Sequence, residues 1–358
     1  MRILILTNID TGLYYFRKEL IEKLLIKNEV IVAFPFGNLV EKFNDMGCKC
    51  IETSFNRRGK NPFMDLALLK RYKAIIRDVN PDLVLTYTIK PNVYGGIACQ
   101  QLKVPYLSNI TGIGTSISNG GILSSIALFL YKQGLKKSSC VFFQNESNLK
   151  LFEANHILKG KVRLIPGSGV NLQQHSFEEY PSDNSVTKLL FVGRVMKDKG
   201  IEELLGAVNT LNGIHLDIVG EYDEDYSGMI QDFQNKGIVT YHGHQEDVHS
   251  FMKGAHCVVL PSYHEGMSNV LLEAASTGRP IVATNVSGCK ETYDEGITGF
   301  GCSPKSVESL QNAIKRFLCL SWEEKKRMGE MGRRKMEREF DRDIVVNAYL
   351  EEISKLER

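Results

Sequence analysis

Short apolar runs recur along this chain, and nearly all are followed by ten or more residues with helical periodicity. Arg2 to Leu6, Val30 to Phe34, Cys48 to Thr53, Asp82 to Thr86, Val104 to Asn109 and Val141 to Gln144 read as strands of a first half. Helical spacing fills the gaps at Leu13 to Lys27, Val40 to Met46, Asp65 to Val79, Asn92 to Leu102 and Ile117 to Leu135. A second series begins at Val162 to Pro166 and continues at Lys188 to Val192, His215 to Val219, Val239 to His242, Cys257 to Leu260 and Pro280 to Ala283. Helices are expected at Ser306 to Leu318, Glu323 to Phe340 and Arg342 to Lys355. Strands alternating with helices predict parallel α/β sheets. The simplest assembly is two Rossmann-like halves facing each other across a cleft, residues 1–160 and 161–340, with 341–358 as a final helix.

The most informative stretch runs from Cys257 to Gly278. An apolar strand leads into the polar loop Pro261-Ser-Tyr-His-Glu-Gly-Met267, and a helix follows. Ser268 or Asn269 supplies the N-cap, and Gly278 followed by Pro280 stops the helix. Glu265 sits in the loop and Glu273 just over one turn into the helix. Free N–H groups at such a helix start suit a phosphate or sugar oxygen, and a carboxylate there can accept hydrogen bonds from a ribose diol. Upstream, Leu189-Leu-Phe-Val-Gly193-Arg194-Val195 with Lys199 is another strand running into a glycine turn with two cations. Arginine forks two phosphate oxygens and lysine adds a point charge. Either carboxylate or cation alone reads as an ordinary solvated charge.

Length and charge bound the function. At 358 residues the chain can bury two cores, and a net charge of +2 does not describe a nucleic-acid binder. Its eight cysteines hold no C-x-x-C pair and read as reduced core residues of a cytosolic protein. No run of about eighteen apolar residues is present to span a bilayer.

Together the Gly193-Arg194 turn, Lys199, and the pair Glu265-Gly266 and Glu273 resemble the donor site of retaining glycosyltransferase family 4, which has the GT-B fold. Asn145-Glu-Ser-Asn148, Gly169-Val-Asn171 and Leu260-Pro-Ser-Tyr263 extend the likeness to bacterial lipid-linked-oligosaccharide α-1,3-N-acetylgalactosaminyltransferases of the Campylobacter N-glycosylation type. The resemblance implies a UDP-sugar donor, a polyprenyl-diphosphate-linked saccharide acceptor, no cofactor and no metal. It assigns Arg194 and Lys199 to the departing diphosphate, Glu265 to the reacting sugar and Glu273 to the ribose. Gly266, Met267, Ser268 and Asn269 would offer backbone N–H groups. It also implies a last helix crossing back to the first domain.

Other positions are less decided by their setting. Gly12, in the turn Thr7 to Gly12, would let a phosphate or acceptor approach, where the family often carries two glycines. Arg17, one turn into the next helix, is a candidate for an acceptor phosphate or a solvated charge. The family's histidine after the fourth strand is missing near Thr88 and Ile89, leaving Lys90 or a carbonyl in its place. His242, His244 and His264 lack metal-ligand spacing, and Asp223-Glu-Asp225 reads as a solvated turn. Ile117 to Leu135, followed by Lys136 and Lys137, fits either a core helix or one lying on an anionic membrane, with Arg57, Arg58 and Lys60 nearby. The latter would place the enzyme at the inner face of the plasma membrane. A sugar-nucleotide epimerase of the same fold, or a non-catalytic nucleotide-sugar-binding protein, is the alternative. A nicotinamide enzyme is disfavoured by the absence of G-x-G-x-x-G after the first strand.

Overall fold

The computed structural model describes residues 1–53, 62–112, 121–183 and 186–357. The basic positions Arg57, Arg58 and Lys60, and the start of the expected Ile117 helix, lie outside the described residues. Two compact units form: residues 1–168 with 343–358, and residues 169–342.

The first unit opens with β1 (Arg2–Leu6), α1 (Asp10–Leu25), β2 (Glu29–Phe34), α2 (Val40–Asp45), β3 (Lys49–Glu52), α3 (Pro62–Val79) and β4 (Leu83–Tyr87). A wide helical turn at Pro91–Gly95 feeds α4 (Gly96–Leu102), then β5 (Tyr106–Ile110), α5 (Gly121–Leu135), β6 (Cys140–Phe143), α6 (Glu146–Ala154) and β7 (Lys161–Leu164). The strands are all parallel in the order β3-β2-β1-β4-β5-β6-β7. Side-chain alternation divides the core. Leu4, Leu6, Val84 and Val141 face α3, α4 and α5, while Ile3, Ile5, Leu85 and Phe142 face α1 and the C-terminal helix. The strand at Val162, expected in the second half, is thus the edge strand of the first sheet. Strand pattern alone does not say which sheet a strand joins.

The second unit contains β8 (Thr187–Val192), α7 (Ile201–Val208), β9 (Ile214–Val219), α8 (Ser227–Asn235), β10 (Val239–Gly243), α9 (His249–Gly254) and β11 (Cys257–Leu260). It continues through α10 (Asn269–Ser276), β12 (Ile281–Thr284), β13 (Gly299–Cys302), α11 (Val307–Leu318) and α12 (Trp322–Lys335). Its sheet is parallel in the order β10-β9-β8-β11-β12-β13. β13 carries no strand-like signal in the sequence because it is half glycine. A Cβ on Gly299 would lie 2.4 Å from the Ile281 carbonyl oxygen, so close pairing with β12 requires that glycine.

The last helix, α13 (Arg342–Ser354), packs on the first unit's sheet. Tyr349 stacks on Phe142 at 4.2 Å, and buried Glu352 accepts hydrogen bonds from Lys161, Arg163 and Lys355. Burial alone would raise the Glu352 carboxyl, but these hydrogen bonds outweigh it and hold it at about 2, against an ordinary 4.5. The stabilisation is therefore present above pH 4.5 and lost as pH falls toward 2. Glu352→Gln is expected to destabilise the first unit by on the order of 2 kcal/mol at pH 7. It should also flatten the acid limb of a urea-denaturation series. An acid limb identical to the parent's would show that the cluster does not anchor the helix.

Candidate active site

β8 and β11 are neighbours, so the turn after Val192 and the loop after Leu260 leave the same edge of the second sheet side by side. That is where parallel sheets bind ligands. Gly193 (φ 158°) and Gly220 (φ 143°) make the crossing tight: a Cβ on Gly220 would lie 1.9 Å from the Gly193 carbonyl oxygen. Arg194 projects from this turn, more than half exposed, with its Nη1 2.8 Å from Asp223 Oδ2. The acidic loop expected to be merely solvated thus holds the arginine, and Glu224 accepts the N–H of Lys197 at 2.8 Å. Nothing in the sequence links Asp223 to Arg194, because their contact depends on β8 and β9 lying side by side.

Lys197–Lys199 form one helical turn closed by Gly200 in the left-handed conformation (φ 73°), where a Cβ would strike the Pro261 carbonyl oxygen at 2.2 Å. Lys199 Nζ donates to Glu265 Oε1, and Ser262 Oγ donates to the same oxygen at 2.8 Å. Among the described residues nothing donates to Oε2. The loop holding this pair is tied on three sides. Tyr263 N–H donates to the Asp198 carbonyl at 2.8 Å, Tyr263 O–H donates to buried Glu203 at 2.7 Å, and Thr284 O–H donates to the Ser262 carbonyl at 2.6 Å. Ser262 and Tyr263 are residues that sequence reading missed as site residues, since a serine three positions before a glutamate carries no signal of its own. Ser262→Ala is expected to lower kcat about tenfold with little change in KM, by freeing the Glu265 side chain; Ser262→Thr should recover part of the loss. Equal falls in kcat and 1/KM would point to general loosening of the loop.

The expected row of free N–H groups at Gly266 to Asn269 is corrected in part. Ser268 N–H donates to the Gly288 carbonyl at 2.8 Å, and the Met267 side chain is in the core. Ser268 stands at the N-cap of α10 but its side chain makes no capping bond. Asn269 Oδ1 is buried without a hydrogen-bond partner among the described residues. Gly266 lies against Gly288, whose φ of 87° brings a Cβ position within 2.8 Å of the Gly266 carbonyl oxygen.

Glu273, on the second turn of α10, has a side chain only 19% exposed, with His175 Nε2 3.9 Å from its Oε1. Burial raises its carboxyl to about 7, opposed only by the charge of Arg342. A carboxyl poised near neutrality is a perturbed group of the kind found at functional sites.

In the first unit the expectations change more. The helix begins at Asp10 rather than Leu13, so Gly12 lies inside its first turn and not in a loop. Asp10 supplies the reason: its carboxylate accepts the Thr11 N–H at 2.7 Å, and an acid is favoured at a helix start. Arg17 is buried, not solvated: its guanidinium lies 5.6 Å from the Tyr87 ring centre and 5.9 Å from that of Tyr349, and Nη1 donates to the Phe16 carbonyl. Lys90 pairs with Asp65 at 2.9 Å, and Tyr94 O–H donates to the other oxygen of that carboxylate. In the turn after β4, where the histidine expected near Thr88 or Ile89 is missing, Thr88 adopts a left-handed φ of 71°, a strained choice for a β-branched residue. The Asn92 N–H to Thr88 carbonyl bond at 3.0 Å helps hold it.

Among the described residues, no group of three His, Cys, Asp or Glu is arranged to hold a metal ion. All eight cysteines are free. No described helix is long and apolar enough to cross a membrane.

The chain matches the glycosyl transferases group 1 model over residues 173–335 and the glycosyl transferase 4-like model over residues 2–145. It belongs to these glycosyltransferases, and it is an enzyme of the GT-B fold class. It is 27% identical to the N,N'-diacetylbacillosaminyl-diphospho-undecaprenol alpha-1,3-N-acetylgalactosaminyltransferase of Campylobacter jejuni, over 98% of this chain and 97% of that one. It is 23% identical to the capsular polysaccharide biosynthesis glycosyltransferase CapM of Staphylococcus aureus, over 79% of each. Its fold matches sucrose-phosphate synthase of Thermosynechococcus elongatus with a TM-score of 0.84 at 21% identity, covering 99% of both chains. The Anabaena protein HepE, solved in complex with UDP and glucose, matches with a TM-score of 0.81 at 18% identity, covering 99% of this chain and 100% of that one.

Proposed function

We propose that the protein is a retaining glycosyltransferase that moves a sugar, an N-acetylhexosamine or hexose, from a UDP-sugar to a saccharide carried on polyprenyl diphosphate. Such a step belongs to bacterial glycan, capsule or glycoprotein assembly, at the inner face of the plasma membrane. The observation that carries the reading is the convergence of Arg194, Lys199 and Glu265 on one edge of the second sheet, with Glu273 on the helix that follows. Arg194 and Lys199 would exchange their carboxylate partners for the donor's phosphates and offset the charge that develops as UDP departs. The acceptor hydroxyl would attack from the face that UDP leaves, with a donor phosphate oxygen taking its proton, so that no strong protein base and no metal is needed. Glu265, held by Ser262, would steady the reacting sugar through its second carboxylate oxygen, and Glu273 would accept the ribose hydroxyls. The Campylobacter relative named above acts on a diphospho-undecaprenol acceptor, and HepE binds UDP; both support the assignment.

The test is UDP release by purified protein across a panel of UDP-sugars, with and without a prenyl-diphosphate-sugar acceptor, in EDTA. Acceptor-dependent release that survives EDTA and disappears in Arg194→Ala is expected, with the anomeric configuration of the donor kept in the product. Interconversion of a UDP-sugar without an acceptor would instead assign an epimerase.

A further inference from the structure

A buried carboxylate can accept hydrogen bonds from a ligand only if its surroundings hold it ionised and in place. Glu273 has burial against it, and Arg342 acts on it through charge. A second group stands closer to its oxygens. His175 Nε2 lies 3.9 Å from Glu273 Oε1, an ion-pair distance just beyond hydrogen-bond length.

His175 belongs to the segment between β7 and β8, and its backbone is clamped to α10. Its carbonyl accepts Ser276 O–H at 2.6 Å and Arg333 Nη1 at 3.0 Å, while its N–H donates to the Asn171 carbonyl at 2.9 Å. The same Arg333 nitrogen donates to the Ser276 carbonyl at 3.1 Å, so the turn, α10 and α12 share one knot. The ring is fixed too. It meets the His249 ring edge-on, with centroids 5.9 Å apart. Both nitrogens of His249 are engaged: Nε2 lies 3.3 Å from Glu178 Oε1, and Nδ1 lies 3.4 Å from Thr277 Oγ1. Thr277 O–H in turn donates to the Glu273 carbonyl at 2.8 Å.

The charges around this cluster are largely spent on one another. Lys253 on α9 lies 3.0 Å from the second oxygen of Glu178, and its hydrogen bond leads in holding that carboxyl below its ordinary range. Arg333 Nε pairs with Glu337 at 2.7 Å. A histidine that only filled space here would do no more than a phenyl ring. An imidazole N–H, charged or neutral, can donate to the carboxylate, and a shift of about 1 Å brings Nε2 within hydrogen-bond range of Oε1.

We propose that His175 is a positioning residue of the donor site, donating through Nε2 to Glu273 Oε1 so that Oε2 is aimed to accept the vicinal hydroxyls of the donor's ribose. The proposal deepens the reading of Glu273 given above and rests on it. Its physical content is that loss of the donor makes Glu273 harder to ionise, which separates it from a packing role.

The experiment is calorimetric titration of UDP into the whole protein from about pH 6 to about pH 9.5, with thermal denaturation over a wider range without UDP. The proteins are the parent, His175→Phe and His175→Gln. In the parent, UDP affinity should rise with pH up to about 7. In His175→Phe this limb should move up by about one pH unit or more. Affinity at pH 7 should then fall about tenfold and approach the parent's near the top of the range. His175→Gln keeps a donor and should recover most of the loss. Without UDP, stability is full below the unfolded carboxyl's 4.5 and is lost as pH rises through the folded value. That loss should therefore extend further above pH 7 in His175→Phe than in the parent. A limb that stays at the parent's position in His175→Phe would overturn the proposal. So would an affinity loss equal at every pH, which would mark a packing residue. A parent that binds no UDP would overturn the ribose role together with the donor-site reading; a shifted ligand-free melting profile would then still report the His175–Glu273 contact.

Discussion

Lys199→Met is expected to lower kcat by about two to three orders of magnitude, the usual cost of removing one preorganised charge from a developing anion. In the structure Lys199 Nζ and Ser262 Oγ share Glu265 Oε1, so the lysine serves both the carboxylate and the phosphate that would replace it. Glu265→Gln should fall by a similar factor, since the amide keeps the shape but not the charge that, in the proposed role, would steady an electron-poor sugar. Because the two side chains act as one unit, Lys199→Met/Glu265→Gln should be little worse than either single variant. KM for the UDP-sugar should rise more in Lys199→Met than in Glu265→Gln, since only the lysine would touch the diphosphate in the ground state. Single-turnover measurements of all three variants decide the matter. Losses that multiply in the double variant would show two independent contributions.

Glu273→Gln is expected to stabilise the protein above pH 7 while weakening UDP binding. The carboxyl is raised by burial to about 7 from an ordinary 4.5, so the unfolded chain loses this proton first as pH rises. Stability of the second unit should therefore fall between pH 4.5 and about 7 and then level off. The amide removes that cost, a gain of about 3 kcal/mol at pH 8. It also removes the ionised acceptor proposed for the ribose hydroxyls, so UDP affinity should fall about tenfold or more. In the parent, UDP affinity should rise with pH up to about 7, as the donor favours the ionised carboxylate. Thermal denaturation against pH, with and without UDP, tests both signs together. An unchanged melting profile would mean that Glu273 carries no buried charge.

Much of this was legible in the residues themselves. Buried parallel strands must be apolar and their helices amphipathic, so nearly every strand and helix showed in the pattern. The Gly193-Arg194 turn, Lys199, Glu265 and Glu273 were singled out by their resemblance to the family's donor site, because each charge taken alone reads as a solvated one. The glycine-rich strand Gly299–Cys302 did not show, since its pairing rests on a missing Cβ. Which sheet Lys161–Leu164 would join was equally silent, for edge strands of either sheet look alike.

The tertiary structure alone decided the partners. Asp223 on Arg194, Lys199 on Glu265 and Glu203 on Tyr263 join residues from three separate strand–helix units. It decided that Arg17 lies buried between two tyrosines, one of them from a helix over 300 positions away in sequence. It decided, too, that the apolar stripe of α5 faces outward. Periodicity fixes that a helix has an apolar face, but only the packing of its neighbours settles which face is covered.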